Sequence, residues 1–364
     1  MNTEFQINLS KTFSDTLINW YEINKRDLPW RDTNDPYVIW LSEIILQQTR
    51  VQQGLPYFNK FLKAFPDVQS FANANEQELL KLWQGLGYYS RARNMLVCAK
   101  EVVNEYNGEF PSDFNNLLKL KGIGKYTAAA IASFSFKQPV PVLDGNVFRV
   151  LSRIYGIEDD ISETSNHIKF RSKAESLIPN NAPDMFNQAI MEFGALQCVP
   201  KSPHCDICVF KAKCFANRHN LQDVLPVKKK KIKKRIRYFN YFAIVHKDTI
   251  LVKERKSKDI WKGMYDFLLF EAELEQNFEG LIKGDAKFLS DLGNLVTSSS
   301  NFKHILTHQT IFAKFFMLAV DNREGFNVIK TKFELEEIKV IELDSLPVSR
   351  LMDKYLKKET NYLT

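Results

Sequence analysis

Apolar positions recur at helical spacing through the first part of the chain. Leu9, Phe13, Leu17, Trp20 and Tyr21 form one stripe, which predicts a helix over 9–24. A polar, Pro-containing stretch, Arg26-Asp27-Leu28-Pro29-Trp30-Arg31, breaks it. A second helix is expected from about Tyr37 through WLSEIILQQTR, and further helices at 55–64, 76–84 and 91–106. Residues 117–147 read as a short helix, a Gly122-Ile123-Gly124 hairpin, a helix opening near Lys125, a Pro-rich turn, and Asp144 starting another helix. Helices at 146–155, 165–177 and 184–195 complete an all-helical half. After residue 237 the period changes. Residues 238–246, 249–253, 265–270, 311–320 and 338–342 read as strands, with helices near 275–292 and 347–357, so an α+β domain follows.

The 364 residues, 45% of them hydrophobic and 26% charged, provide for two or three globular domains. A net charge of +7 permits an anionic partner without requiring one. No apolar run reaches membrane-spanning length, and the polar MNTEFQINLS start is unlike a secretory signal. A cytoplasmic protein with no membrane partner is expected. The boundary between the halves is PVKKKKIKKRIR at 226–237. It reads as a solvated linker, with nonspecific phosphate contact as a second use.

Several residue groups carry candidate chemistry. Gly122 and Gly124, with free N–H groups at the helix start behind them, suit a nucleic-acid phosphate, although an ordinary helical hairpin has the same pattern. Asp144 just beyond could act on a bound strand. Glu43 lies among Trp40, Leu41, Ile44 and Ile45. As a surface residue it would be inert, whereas burial would raise its pKa into the range of a general acid. Residues 85–93, GLGYYSRAR, make either a helix connector or a loop for phosphates and stacked bases. Four of the five cysteines, Cys198, Cys205, Cys208 and Cys214, fall in one loop. That clustering suggests metal ligation. Zinc sites usually pair two short knuckles, and only one close pair exists here, so the spacing favours a [4Fe-4S] cluster over zinc.

Leu28-Pro29-Trp30-Arg31, Ser42-Glu43-Ile44, Gln47-Gln48-Thr49, Gly85-Leu86-Gly87-Tyr88-Tyr89-Ser90-Arg91, Gly122-Ile123-Gly124, Leu143-Asp144-Gly145-Asn146-Val147 and the cysteine loop occur in one order. Together, over residues 10–225, they resemble the MutY-type adenine DNA glycosylases. The resemblance implies a multidomain fold: an all-α helix-hairpin-helix glycosylase half with an iron–sulfur cluster loop, then an α+β Nudix-like domain. It divides the chain into a cluster domain (1–29 and 137–225), a six-helix barrel domain (30–136), the linker (226–237) and a recognition domain (238–364). The implied substrate is double-stranded DNA with adenine opposite 8-oxoguanine or guanine, the adenine being flipped into a cleft. A nucleoid-associated monomer is implied as well. A monovalent cation at the hairpin is a further candidate beside the [4Fe-4S] cluster.

The resemblance also distributes roles. Glu43 would protonate adenine and Asp144 would stabilise the oxocarbenium ion, with Asn146 and Tyr126 supporting them. Arg26, Trp30, Arg31 and Gln188 match adenine-pocket positions. Gln48 and Tyr88 match duplex wedges, and Thr49 and Leu86 match neighbours of 8-oxoguanine. Four departures matter. Endonuclease III-type enzymes, the alternative reading as glycosylase/lyases, carry a lysine nucleophile where Tyr126 stands. Lys125 is one position early, about 100° round the helix. Lys121 replaces the usual proline before Gly122 and adds a phosphate contact. Finally, no Nudix box follows Gly263, which argues against nucleotide hydrolysis. Leu306-Thr307-His308 stands where the family often has Phe-Ser-His, so Thr307 and His308 are the expected readers of 8-oxoguanine.

Overall fold

The computed structural model describes residues 3–229, 234–256, 259–284 and 286–359, with the side chains of 3–11 and 359 left aside. Residues 230–233 of the basic run and the Leu9 side chain therefore lie outside the described residues. The chain forms two compact units. One holds the residues up to Asn73 and those from Asn94 to the basic run; the other holds Ala74–Arg93 and the C-terminal part.

The first unit is helical. Its N-terminal helix, Thr3–Asn24, packs on Pro183–Leu196, which also packs on Gly145–Tyr155. Phe13, Leu17, Trp20 and Tyr21 enter one core with Val147, Val150, Leu151, Phe186, Ile190 and Phe193. A second helix pair, Pro36–Leu46 against Lys125–Phe136, sits beside it. Local chemistry fixes where these helices begin. Asp35 accepts from the Tyr37 N–H at 2.8 Å with Pro36 at the first turn. Asp144 caps its helix by accepting from the Val147 N–H at 2.7 Å, and Gly156 closes it in the left-handed region. The helix behind the hairpin starts at Gly124 without a side-chain cap, which leaves its first N–H groups for a ligand.

One helix is shorter than its pattern. Residues 47–50 look helical, yet the helix ends at Leu46 because Gln48 takes φ 57°. Gln48 is exposed at this turn, while Gln47 stays half-buried and donates from Nε2 to Thr127 Oγ1 at 3.2 Å.

The second unit contains a mixed eight-stranded sheet among its described residues: β1 Arg235–His246, β2 Thr249–Glu254, β3 Tyr265–Asp266, β4 Leu268–Ala272, β5 Asn294–Ser298, β6 Phe302–Ile305, β7 Gln309–Ala319 and β8 Glu336–Lys339. β1 is central. It runs parallel to β7 from Arg235↔Gln309 to Val245↔Ala319, and antiparallel to β4 and β2 on its other edge. Both faces of β1 are covered, so its burial is nearly continuous. On one face Phe242 and Ile244 join Phe326 and Ile329 of helix Arg323–Lys332. On the other, Tyr241, Phe315 and Tyr355 of helix Arg350–Glu359 stack at 4.9 and 4.0 Å. The expected strand 265–270 is two strands parted at Phe267, and the expected helix 275–292 is two short helices, Phe278–Lys283 and Lys287–Ser290. Strand 338–342 is instead β8 followed by a 3₁₀ turn from Val340.

Candidate active site

A cavity of about 630 Å³ opens in the helical unit. Glu43, Asp144, Tyr126, Asn146, Arg26, Trp30, Arg31, Thr49 and Gln188 all line it, although they come from segments far apart in the chain. Helix Pro36–Leu46 presents Glu43, and the hairpin helix presents Tyr126, whose hydroxyl donates to Glu43 Oε2 at 2.5 Å. Glu43 is only 7% exposed. Burial raises its carboxyl to about 7. The Tyr126 hydroxyl pulls it down, the Asp144 charge pushes it up and Arg31 lowers it.

Asp144 is held differently. It accepts from the Val147 N–H at 2.7 Å and from Asn146 Nδ2 at 2.7 Å. Burial still raises its pKa, against the pull of those donors and of Arg149. Asn146 is itself oriented. Arg149 Nη2 donates to its Oδ1 at 2.9 Å, which turns the amide NH₂ toward Asp144. The remaining bonds of Arg149 go to the Cys198 carbonyl at 2.7 Å, Gly194 at 2.6 Å and Gly145 at 3.2 Å. The two helices approach so closely here that a Cβ on Gly194 would lie 2.6 Å from Asn146 Cβ. Only glycine permits the contact.

The pocket arginines are tied by Glu192, which the sequence did not single out. Its carboxylate, 1% exposed, accepts from Arg26 Nη2 and Arg31 Nη2, both at 2.6 Å, and from Arg26 Nε at 2.8 Å. Burial pushes the Glu192 carboxyl up, but these bonds outweigh it and hold the group at about 2. Its signal was present in the sequence: Glu192 lies one helical turn after Gln188, on the same side of the helix.

Other candidates sit elsewhere. Gln48 is exposed. Lys121, Gly122 and Gly124 form the exposed hairpin, with Gly122 at φ 80° and the Lys121 N–H on Glu101 at 2.7 Å. Leu86, Tyr88, Thr307 and His308 belong to the other unit. There Leu86 is buried, Tyr88 is 45% exposed, and the Tyr88 and Thr307 hydroxyls hydrogen-bond to each other. Thr307 and His308 occupy an exposed tight turn between β6 and β7, closed by Leu306 N–H to the Gln309 carbonyl at 2.8 Å.

Cys198, Cys205, Cys208 and Cys214 line one small cavity with Arg153, Phe193 and Pro203. Among the described residues, no group of three or more His, Cys, Asp or Glu closes on a single ion. Zinc needs four ligands at about 2.3 Å from one point. A four-iron cluster is a larger body and spreads its thiolates around its own faces. Two sulfurs already accept hydrogen bonds, Cys198 from Arg153 Nη1 and Cys208 from the Phe210 N–H, each at 3.4 Å. Four thiols gathered around one cavity are a donor set that fits a four-iron cluster.

Residues 41–179 match the HhH-GPD superfamily of base excision DNA repair proteins, and residues 240–358 match the NUDIX domain. The adenine DNA glycosylase of Buchnera aphidicola subsp. Schizaphis graminum is 36% identical over 298 residues, covering 81% of this chain and 85% of that protein. The chain belongs to the adenine DNA glycosylase family. A second family member, from Buchnera aphidicola subsp. Baizongia pistaciae, is 34% identical over 357 residues and covers 96% and 98% of the two chains. Among solved structures, a thermostable thymine-DNA glycosylase is similar with a TM-score of 0.53 at 30% identity, over 58% of this chain and 97% of that one. The family hydrolyses N-glycosyl bonds. A buried carboxyl poised near neutrality, beside a second one held by several donors, is the equipment such hydrolysis asks for. No described helix is long and apolar enough to cross a membrane.

Proposed function

We propose that the protein removes adenine mispaired with 8-oxoguanine or guanine in duplex DNA, hydrolysing the N-glycosidic bond without cleaving the strand. The observation that carries this reading is the pairing of Glu43, raised to about 7, with Asp144, which sits under two hydrogen-bond donors in the same cavity. Adenine leaves well only when protonated, and the deoxyribose left behind is an oxocarbenium ion. In this reading the flipped base meets Glu43, which gives its proton to N7. The glycosidic bond breaks with its electron pair going to the base. Asp144, its charge favoured by the Val147 N–H and Asn146, faces the developing positive charge until water adds at the sugar and gives up a proton to the Glu43 carboxylate, which restores the acid.

Arg26, Trp30, Arg31 and Gln188 would contact the base. The hairpin from Lys121 to Gly124 would hold phosphate, Gln48 and Tyr88 would wedge the duplex, and Thr307 and His308 would read the opposite base. Cys198, Cys205, Cys208 and Cys214 would hold a [4Fe-4S] cluster, whose iron would tie together the loop that offers the Cys198 carbonyl to Arg149. The test is release of adenine from duplexes with adenine opposite 8-oxoguanine, guanine or thymine, with and without alkali to reveal abasic sites. Alkali-dependent cleavage, greatest opposite 8-oxoguanine, is expected. Unchanged adenine release by Glu43→Gln and by Asp144→Asn would falsify the assignment.

A further inference from the structure

Gln188 differs from the other polar groups of the cavity. Its two ends are alike in size and opposite in character, a carbonyl acceptor and an NH₂ donor. Which purine edge it matches depends on which end faces the base. Adenine offers an amine donor beside the ring acceptor N1. Guanine and hypoxanthine offer the reverse, a carbonyl beside N1–H. Selection by Gln188 therefore requires something outside the cavity to fix the amide.

Tyr21 is placed to do this. Its hydroxyl donates to Gln188 Oε1 at 2.9 Å, and that oxygen is its one hydrogen-bond acceptor among the described residues. Tyr21 is 2% exposed, packed in the core of the helical unit, and does not line the cavity, whereas Gln188 does. Turning the amide over would leave a buried hydroxyl proton without its acceptor. The ring is braced in turn. The Arg31 guanidinium lies 5.5 Å over its centroid, and Glu192 holds that guanidinium.

We infer that Tyr21 is a positioning residue that locks the Gln188 amide in the orientation matching an amine-bearing purine. Oε1 keeps one lone pair beyond the Tyr21 bond, directed at the amine of the base, and Nε2 is left to donate to the ring nitrogen. The inference rests on the proposed adenine activity.

The experiment uses the full-length protein and compares single-turnover release of adenine with release of unsubstituted purine, which has the same ring and no exocyclic amine, both opposite 8-oxoguanine. Tyr21→Phe is expected to lower the ratio of adenine to purine release about ten-fold. Gln188→Leu should lower it by a similar factor, and the double variant should go no further, since both act through one contact. An unchanged ratio in Tyr21→Phe overturns the inference. So does an equal loss on both bases, the result of a packing defect alone. Should Tyr21→Phe fail to fold, Gln188→Leu leaves the ring in place and decides the matter: an unchanged ratio there removes the reader that Tyr21 is said to hold. Failure of the unsubstituted protein to release adenine would instead defeat the proposed function.

Discussion

Glu43 is subject to opposed forces, and the balance has consequences for stability as well as rate. Burial raises its carboxyl from the ordinary 4.5 to about 7. The folded protein thus binds a proton between those values that the unfolded chain has released. Stability contributed by this group falls as pH rises through that window, and at higher pH the folded state carries a buried charge. That rise from 4.5 to about 7 corresponds to roughly 3–4 kcal/mol, at about 1.4 kcal/mol for each tenfold change in proton affinity. Glu43→Gln should therefore stabilise the protein above pH 7 by up to that amount, while slowing adenine release by at least ~10²-fold. Thermal unfolding at pH 5 and pH 8 would show the gain only at the higher value; a variant destabilised at pH 8 contradicts the burial argument. In the unsubstituted protein the single-turnover rate should fall as pH rises past about 7, because the acid must hold its proton. A second residue-level prediction concerns strand cleavage. Lys125 is exposed and absent from the cavity lining, and Tyr126 points at Glu43. Borohydride should trap little covalent protein–DNA complex; efficient trapping, lost on substituting one lysine, would restore the lyase reading.

Between elements, Arg149 is the joint. One guanidinium on helix Gly145–Tyr155 reaches the Cys198 and Gly194 carbonyls and also orients Asn146 under Asp144. A lysine supplies charge without the planar fork. Arg149→Lys should cost roughly 1–3 kcal/mol of stability through carbonyls left without donors. It should also lower the rate of adenine release about ten-fold or more while duplex affinity holds. Equal loss of affinity and rate would mark Arg149 as structural only. The joint also shows what was legible in the sequence. Glu43, Tyr126 and Asp144 lie in or beside short motifs and Gln188 follows from the family resemblance, so these could be named beforehand, whereas Arg149 and Glu192, which line the same cavity, could not. Arg149, Glu192 and Tyr21 act through other side chains, across separations as large as the 167 residues between Tyr21 and Gln188. Apart from the one-turn spacing of Glu192 from Gln188, no local pattern records such a partner. Long amphipathic helices were legible because burial repeats along them. β5 was not, since it is an edge strand exposed along most of its length and shows no alternation. The end of the Glu43 helix was misread because φ at Gln48, not polarity, decides it.

At the scale of the molecule, the residues proposed for the chemistry and those proposed to read the opposite base fall in different units. The cavity belongs wholly to the helical unit, whereas Thr307 belongs to the unit built on the mixed sheet. Thr307 sits at a turn pinned on both sides, by Leu306 N–H to Gln309 and by Arg235 N–H to the His308 carbonyl at 2.9 Å, so its exposed hydroxyl has a fixed address. Its hydrogen bond to Tyr88 is made within the same unit. A residue so placed can change which opposite base is accepted without altering how the glycosidic bond breaks. One hydrogen bond of ordinary strength contributes about 0.5–1.5 kcal/mol, so Thr307→Ala should narrow the preference for 8-oxoguanine over guanine roughly two- to ten-fold. The loss should fall on the 8-oxoguanine duplex, with adenine opposite guanine processed at its former rate. Thr307→Ser keeps the hydroxyl and should restore the preference. Equal slowing on both duplexes would mean that Thr307 supports the turn or Tyr88 and does not read the base. In that case Leu306, which stands where the family often has an aromatic, would be the next residue to substitute in the same comparison of duplexes.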